Sequence, residues 1–203
     1  MSKSTMILDV GNSLIKARRL SDGSEVVFNH ALAELTEAEY QHLLTRTNGK
    51  PSADYIRVNG KPYAYGWQAE RYDLIRRSRA NKYTPDYYGV FAAIALAQLF
   101  NKNADVSVYG SHPPGDVDYR DNLMDSAIGC WHTEIEGQEH AFNVDYVNTF
   151  EEPLGGFYNV VLAGDGKHYQ RSDINAGRAL VVDIGGGTPI YRLFMQMGLS
   201  ITA

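Results

Sequence analysis

Met6-Ile7-Leu8-Asp9-Val10-Gly11-Asn12-Ser13-Leu14-Ile15-Lys16-Ala17 opens the chain, and Ala179-Leu180-Val181-Val182-Asp183-Ile184-Gly185-Gly186-Gly187-Thr188 returns a near echo of it towards the far end. Each copy is a run of β-branched and aliphatic residues too short for a buried helix, which reaches an aspartate and then a glycine. That is the pattern of a buried strand entering a tight hairpin. The strand delivers a carboxylate to its end, and the glycine-containing turn exposes several backbone N–H groups at once, an arrangement that holds phosphate oxygens. An aspartate repels phosphate directly, but it can hold a hydrated Mg²⁺ that bridges to it. Two such units facing each other clamp one phosphate chain from both sides, and Lys16 on the returning strand neutralises phosphate charge.

Asp9-Val10-Gly11-Asn12-Ser13-Leu14-Ile15-Lys16 resembles the first phosphate motif of the actin, Hsp70 and sugar kinase superfamily, and Asp183-Ile184-Gly185-Gly186-Gly187-Thr188 resembles its second. Within that superfamily the chain looks most like the bacterial actin-like ATPases of the plasmid-segregation, ParM-like type. The resemblance implies an α/β fold, the actin-like (ribonuclease H-like) ATPase domain, with a mixed five-stranded sheet flanked by helices and a small inserted subdomain. It implies ATP (or GTP) and Mg²⁺ as cofactors, Asp9 and Asp183 holding the metal through water, and Gly11, Asn12, Ser13, Gly185, Gly186, Gly187 and Thr188 donating to phosphates. It further implies self-association into filaments and a centromere-binding adaptor protein as partner.

The composition sets limits on this reading. A chain of 203 residues, 44% hydrophobic and 21% charged, is of ordinary globular make-up. A net charge of -5 argues against direct nucleic-acid binding, which goes with a basic surplus, so any link to DNA runs through a partner. The single cysteine, Cys130, excludes an intramolecular disulfide framework, fits a reducing cytoplasm and is expected as a buried thiol. No apolar run approaches the ~18 residues that cross a bilayer, and Met1-Ser2-Lys3-Ser4-Thr5 lacks a signal peptide's apolar core, so a cytoplasmic protein without membrane contact is expected.

Along the chain, Leu14 to Leu20 continues as a second strand, and Asp22-Gly23 turns it into Glu25-Val26-Val27-Phe28. From Ala31 to Leu44 the apolar spacing is helical. Asn59-Gly60 turns a hairpin between Tyr55-Ile56-Arg57-Val58 and Lys61-Pro62-Tyr63-Ala64-Tyr65, in the region where the family carries a small variable subdomain with filament contacts. The basic residues Arg71, Arg76, Arg77, Arg79 and Lys82 read as a solvated face. Thr84-Pro85-Asp86 caps and opens the clearest helix, a central one with a broad apolar surface. A strand at Asp105 to Gly110 leads through a proline-containing loop to a helix opened by Asp118-Tyr119-Arg120, and a hairpin turning at Gly137-Gln138 follows.

Phe150-Glu151-Glu152-Pro153-Leu154-Gly155-Gly156 then places a carboxylate at a helix N-terminus, where the helix dipole keeps it ionised and a small next turn permits close packing. This stretch resembles the superfamily's connecting helix, whose first acid or amide orients the attacking water. The resemblance assigns that catalytic role to Glu152, with Glu151 as the alternative one residue away. After Thr188 the pattern departs from the family, because Pro189 removes an amide donor from the second turn.

The expected domains are residues 1–178, with the inserted subdomain at roughly 30–84, and residues 179–203 as the beginning of a second, truncated domain. On this reading the chain is an N-terminal fragment whose nucleotide site is half built. Two other readings remain: a small-molecule kinase of the same superfamily, pantothenate kinase-like, and a non-hydrolysing actin-like scaffold of pilus or division assembly. The six histidines, His30, His42, His112, His132, His140 and His168, show no metal-ligand spacing and are expected at the surface or in loops.

Overall fold

The structure is a computed structural model that describes residues 3–47, 54–72, 85–114, 117–163, 167–171, 174, 178–183 and 190–195. Its centre is strand β1 (Ser4–Val10), in which Met6, Leu8 and Val10 are buried and the alternate residues are half-buried. A tight turn leads into β2 (Leu14–Arg19), and the Asp22-Gly23 turn, with Gly23 at a φ of 74°, leads into β3 (Glu25–Asn29). Both pairings are antiparallel. On the other side of β1 lies β7 (Ala104–His112), parallel to it, and beyond that β9 (Gln138–Glu151), parallel to β7. The order β3-β2-β1-β7-β9 is the mixed five-stranded sheet of the actin-like fold.

The sheet does not stop there. It continues through β8 (Gly129–Ile135), β5 (Tyr55–Val58), β6 (Lys61–Tyr65) and β4 (Leu32–Glu34), all antiparallel, to make nine strands. The Asn59-Gly60 turn has positive φ at both positions, 48° and 82°, as a type I′ hairpin requires. The β8–β9 hairpin turns at Glu136-Gly137, φ 51° and 75°, one residue before the expected Gly137-Gln138, since Gln138 is already paired with Ile135.

The helix expected from Ala31 to Leu44 is half strand. Leu32, Ala33 and Glu34 pair with β6, and α1 (Glu37–Arg46) begins only after Thr36. A capping box sets that boundary: the Glu39 amide donates to Thr36 Oγ1 at 3.3 Å, and the Thr36 amide donates to the Glu39 carboxylate at 2.7 Å. Ala31, Ala33, Leu35, Tyr40, Ala64 and Ala69 form a small core of their own here. Arg57 ties it to the main sheet, lying 4.3 Å above the Tyr40 ring and pairing with Glu37 at 2.6 Å and Glu134 at 3.5 Å.

Helix α2 (Pro85–Leu99) is buried on nearly all sides, with Phe91, Ile94 and Leu96 almost wholly inaccessible. Each such side chain contributes about 1.5–3 kcal/mol by leaving water. With α3 (Val117–Ala127) it covers one face of the sheet, packing on Met6, Leu8, Val10, Ile15, Ala17, Val106, Val108 and Val144. The two helices cross closely because residue 89 is glycine: a Cβ there would lie 2.6 Å from the Trp131 ring and overlap the Ser126 carbonyl.

Strand β9 runs straight into α4 (Glu152–Val161), which buries Phe157 and Val161 against Ala179 and Val181 of β10 (Arg178–Asp183). That strand pairs antiparallel with β11 (Ile190–Met195) as a separate two-stranded sheet. Helix α4 therefore touches both sheets. Gly155 and Gly156 are exposed, and a Cβ on either would make only ordinary contacts at 3.5 Å, so the observed packing does not demand the small pair.

Two expectations fail on burial. Cys130 is exposed, because β8 alternates and Trp131, Thr133 and Ile135 take its inward positions. Conversely His112 and His140 are buried within strands, at 8 and 9% exposure, whereas His30 lies in a loop as expected, between β3 and β4, though it too is buried, at 8%. His112 ends the inward set of β7, and His140 precedes Phe142 on the inward side of β9. Of the basic cluster, Arg71 is exposed in a short 3-10 turn, Ala69–Arg71, and Arg76, Arg77, Arg79 and Lys82 lie outside the described residues.

Candidate functional site

The hydrophobic alternation of β1 turns Leu8 and Val10 towards α2, and so turns Asp9 to the opposite face at the strand's C-terminal end. Its antiparallel partner is Lys16, which shares that face, and the Lys16 ammonium lies 3.7 Å from the Asp9 carboxylate. Both side chains are about half exposed, so the pair is hydrated and either group can turn to a ligand.

Between these strands the hairpin closes on Gly11 and Leu14. The Gly11 amide donates to the Leu14 carbonyl at 3.0 Å, and a Cβ on residue 11 would sit 2.9 Å from that same oxygen. Glycine is required for this approach. Two further carbonyls at the tip are tied to His30, whose amide donates to Ser13 O at 2.9 Å and whose ring Nδ1 bonds to Gly11 O at 2.7 Å. Among the described residues, the amides of Asn12 and Ser13 have no hydrogen-bond partner. Two unpaired N–H donors beside a lysine are a fitting cradle for anionic oxygens, and a hydrated carboxylate next to them suits a water-mediated Mg²⁺.

Beneath the site lies Tyr88 of α2. Its hydroxyl is fully buried and has no hydrogen-bond partner among the described residues. It fits against the bare Cα of Gly110 in β7, next to Leu8. Burial pushes its pKa up, and the negative charge of Asp9 pushes in the same direction.

At the far end of β9, Glu151 is the N-cap of α4 and Glu152 its first residue. Leu8, Gly110 and Thr149 are in register across β1, β7 and β9. By alternation Phe150 therefore shares the Asp9 face, whereas Glu151, opposite His112, belongs to the side covered by α3. There it lines a cleft of about 460 Å³ with His112, Arg120 and Met124. Asp183 ends β10 opposite Ile190, and Gly185, Gly186, Gly187 and Thr188, with Pro189, lie outside the described residues.

Sequence reasoning missed His30 and Tyr88. His30 meets Gly11 across a separation of 19 residues, and no local spacing marks such a pair. Tyr88 sits in an apolar helix, where an aromatic residue reads as plain core. Its one local signal is the glycine at position 110, inside a strand that otherwise favours side chains.

A mixed sheet whose first strand delivers an acid to a glycine hairpin, joined by a helix to a second, antiparallel sheet, defines the actin-like class of fold. The family described as "Actin like proteins N terminal domain" matches residues 8–155, and the chain belongs to it. No curated protein matches the chain. Among solved structures, the apo ParM protein of pSK41 superposes with a TM-score of 0.73 at 16% identity, over 97% of this chain and 63% of its own. A ParM from the 15-stranded filament of Clostridium botulinum gives 0.70 at 18%, over 96% and 59%. Ta0583, an archaeal actin homologue, gives 0.69 at 19%, over 96% and 58%. At these identities the likeness is one of fold, and the chain spans about three-fifths of the length of these structures. No helix among the described residues is long and apolar enough to cross a membrane.

Proposed function

We propose that the full-length protein is a cytoplasmic actin-like ATPase that binds ATP (or GTP) with Mg²⁺ and polymerises into filaments, serving plasmid DNA segregation through an adaptor protein. The observation that carries this reading is the β1–β2 hairpin, where the Asn12 and Ser13 amides, unpartnered among the described residues, stand beside the Asp9–Lys16 pair. The ParM likeness of the fold supports the filament and the segregation role.

In this reading Gly11 shapes the hairpin, Asn12 and Ser13 donate to phosphate oxygens, and Lys16 leaves Asp9 to offset phosphate charge. Asp9 and Asp183 hold the metal through water, and Gly185, Gly186, Gly187 and Thr188 supply the opposing donors. When bound, Mg²⁺ neutralises charge that develops on the phosphates during transfer. Glu152, on the first turn of α4, orients the attacking water; Glu151 faces the α3 side, which favours Glu152 for this role. Phosphoryl transfer depends chiefly on such positioning and electrostatics, so few reactive side chains are needed. Residues 1–178 form the first domain, with 30–84 inserted, and 179–203 begin the second.

Light scattering of the full-length protein with ATP, with ADP and without nucleotide tests this. Assembly that requires ATP and Mg²⁺ is expected. Phosphorylation of a soluble metabolite without any nucleotide-dependent assembly overturns it in favour of a kinase. Glu152→Ala is expected to keep ATP binding and to slow hydrolysis by about tenfold or more.

A further inference from the structure

We propose that His30 is a positioning residue for the phosphate loop, its imidazole setting the direction of the Asn12 amide. The proposal rests on the nucleotide reading of that loop. A carbonyl oxygen can only accept, so the 2.7 Å contact between Nδ1 and Gly11 O fixes the tautomer: Nδ1 carries the proton and donates it. The peptide unit joining Gly11 to Asn12 is planar and trans, which sets its C=O and N–H in opposite directions. Drawing the Gly11 oxygen inward to the ring therefore turns the Asn12 N–H outward, to the side where a phosphate approaches. The backbone of His30 acts in the same way two residues on, since its amide holds Ser13 O at 2.9 Å and so sets the direction of the Leu14 N–H.

The ring itself is held in place. It is 8% exposed and stands edge-on to Phe91 of α2, with centroids 4.9 Å apart and planes at 87°. The buried helix thus transmits its rigidity through one imidazole to the loop. Donors oriented before the ligand arrives need no reorganisation on binding, which is where such a residue gains affinity.

Two substitutions separate this role from plain packing. His30→Phe keeps a ring against Phe91 but has no donor, so the Gly11–Asn12 peptide is free to rotate. His30→Asn loses most of the ring, yet its side-chain amide can place an N–H close to where Nδ1 stood. In the full-length protein the Phe variant is expected to bind Mg·ADP about tenfold more weakly, the scale of one lost hydrogen bond. The Asn variant is expected to bind within about threefold of the parent even where it melts lower, since one retained hydrogen bond carries that affinity. Nitrogen-15 NMR of the parent is expected to show the Nδ1-protonated ring and a large shift of the Asn12 amide on adding Mg·ADP. Affinity of the Phe variant equal to the parent's, or no better in the Asn variant than in the Phe variant, overturns the proposal. A parent protein that binds no nucleotide overturns the nucleotide reading itself, a separate outcome visible before any variant is made.

Discussion

Gly110→Ala is the substitution whose outcome the structure defines most narrowly. A Cβ at residue 110 overlaps the Tyr88 hydroxyl oxygen, while its next neighbours, Thr149 Cγ2 at 3.5 Å and Leu8 O at 3.7 Å, are ordinary contacts. Tyr88 cannot yield easily, because it is fully buried in α2, the helix at the centre of the core. Overpacking of this kind costs about 1–3 kcal/mol. Tyr88→Phe removes the oxygen, and with it a buried hydroxyl that lacks a partner; a group of that sort costs ~1–3 kcal/mol to desolvate, so this change is expected to be neutral or stabilising. In the Tyr88→Phe background the alanine methyl occupies the vacated space, and the cost of Gly110→Ala is expected to fall by ~2 kcal/mol. Urea and thermal unfolding of the four proteins measures this coupling, with roughly 4–8 °C of melting temperature at stake in a chain of this size. Equal costs of Gly110→Ala in both backgrounds would refute the steric argument and with it the placing of Tyr88 beneath the Asp9 strand.

Acid stability should depend on Glu37, which the hydrogen-bonded Arg57 guanidinium holds at a pKa of about 2, with Gln41 assisting, against an ordinary value of 4.5. Because the folded value is the lower one, its stabilisation is present above pH 4.5 and is lost as pH falls through about 2. Glu37→Gln should therefore flatten the fall of the urea midpoint over that interval, and parallel curves for the two proteins would exclude the linkage. Lys16→Met is expected to weaken nucleotide binding about tenfold or more by leaving phosphate charge unmatched, as read by fluorescent nucleotide titration; unchanged affinity would remove Lys16 from the site. Cys130, exposed on β8, should react with a thiol reagent in the native protein about as fast as in urea, and strong protection would contradict the observed strand register.

Much of the fold was legible because it is written in short-range signals. The alternation of Met6, Leu8 and Val10, the turns at Asp22-Gly23 and Asn59-Gly60, and Pro85 opening α2 each involve residues only a few positions apart. The boundary of α1 was legible too, since Thr36 and Glu39 form a capping box, but the broader leucine spacing across Ala31 to Leu44 concealed it. Burial was harder to read. A cysteine is usually hidden and a histidine usually exposed, yet Cys130 fell on the outward side of β8, and His30, His112 and His140 found inward places.

The sequence by itself determined the chemistry at the tips of the strands: an acid, a glycine turn and a lysine on the returning strand, all within one hairpin whose geometry follows from local rules. Only the tertiary structure decided what stands behind that hairpin. Gly11 and His30 meet because β3 returns the chain alongside β2, and Tyr88 reaches Gly110 because α2 lies across β1 and β7. Such partnerships arise from packing between elements distant along the chain, where many residue types satisfy the same apolar pattern and only the three-dimensional register selects which side chains touch.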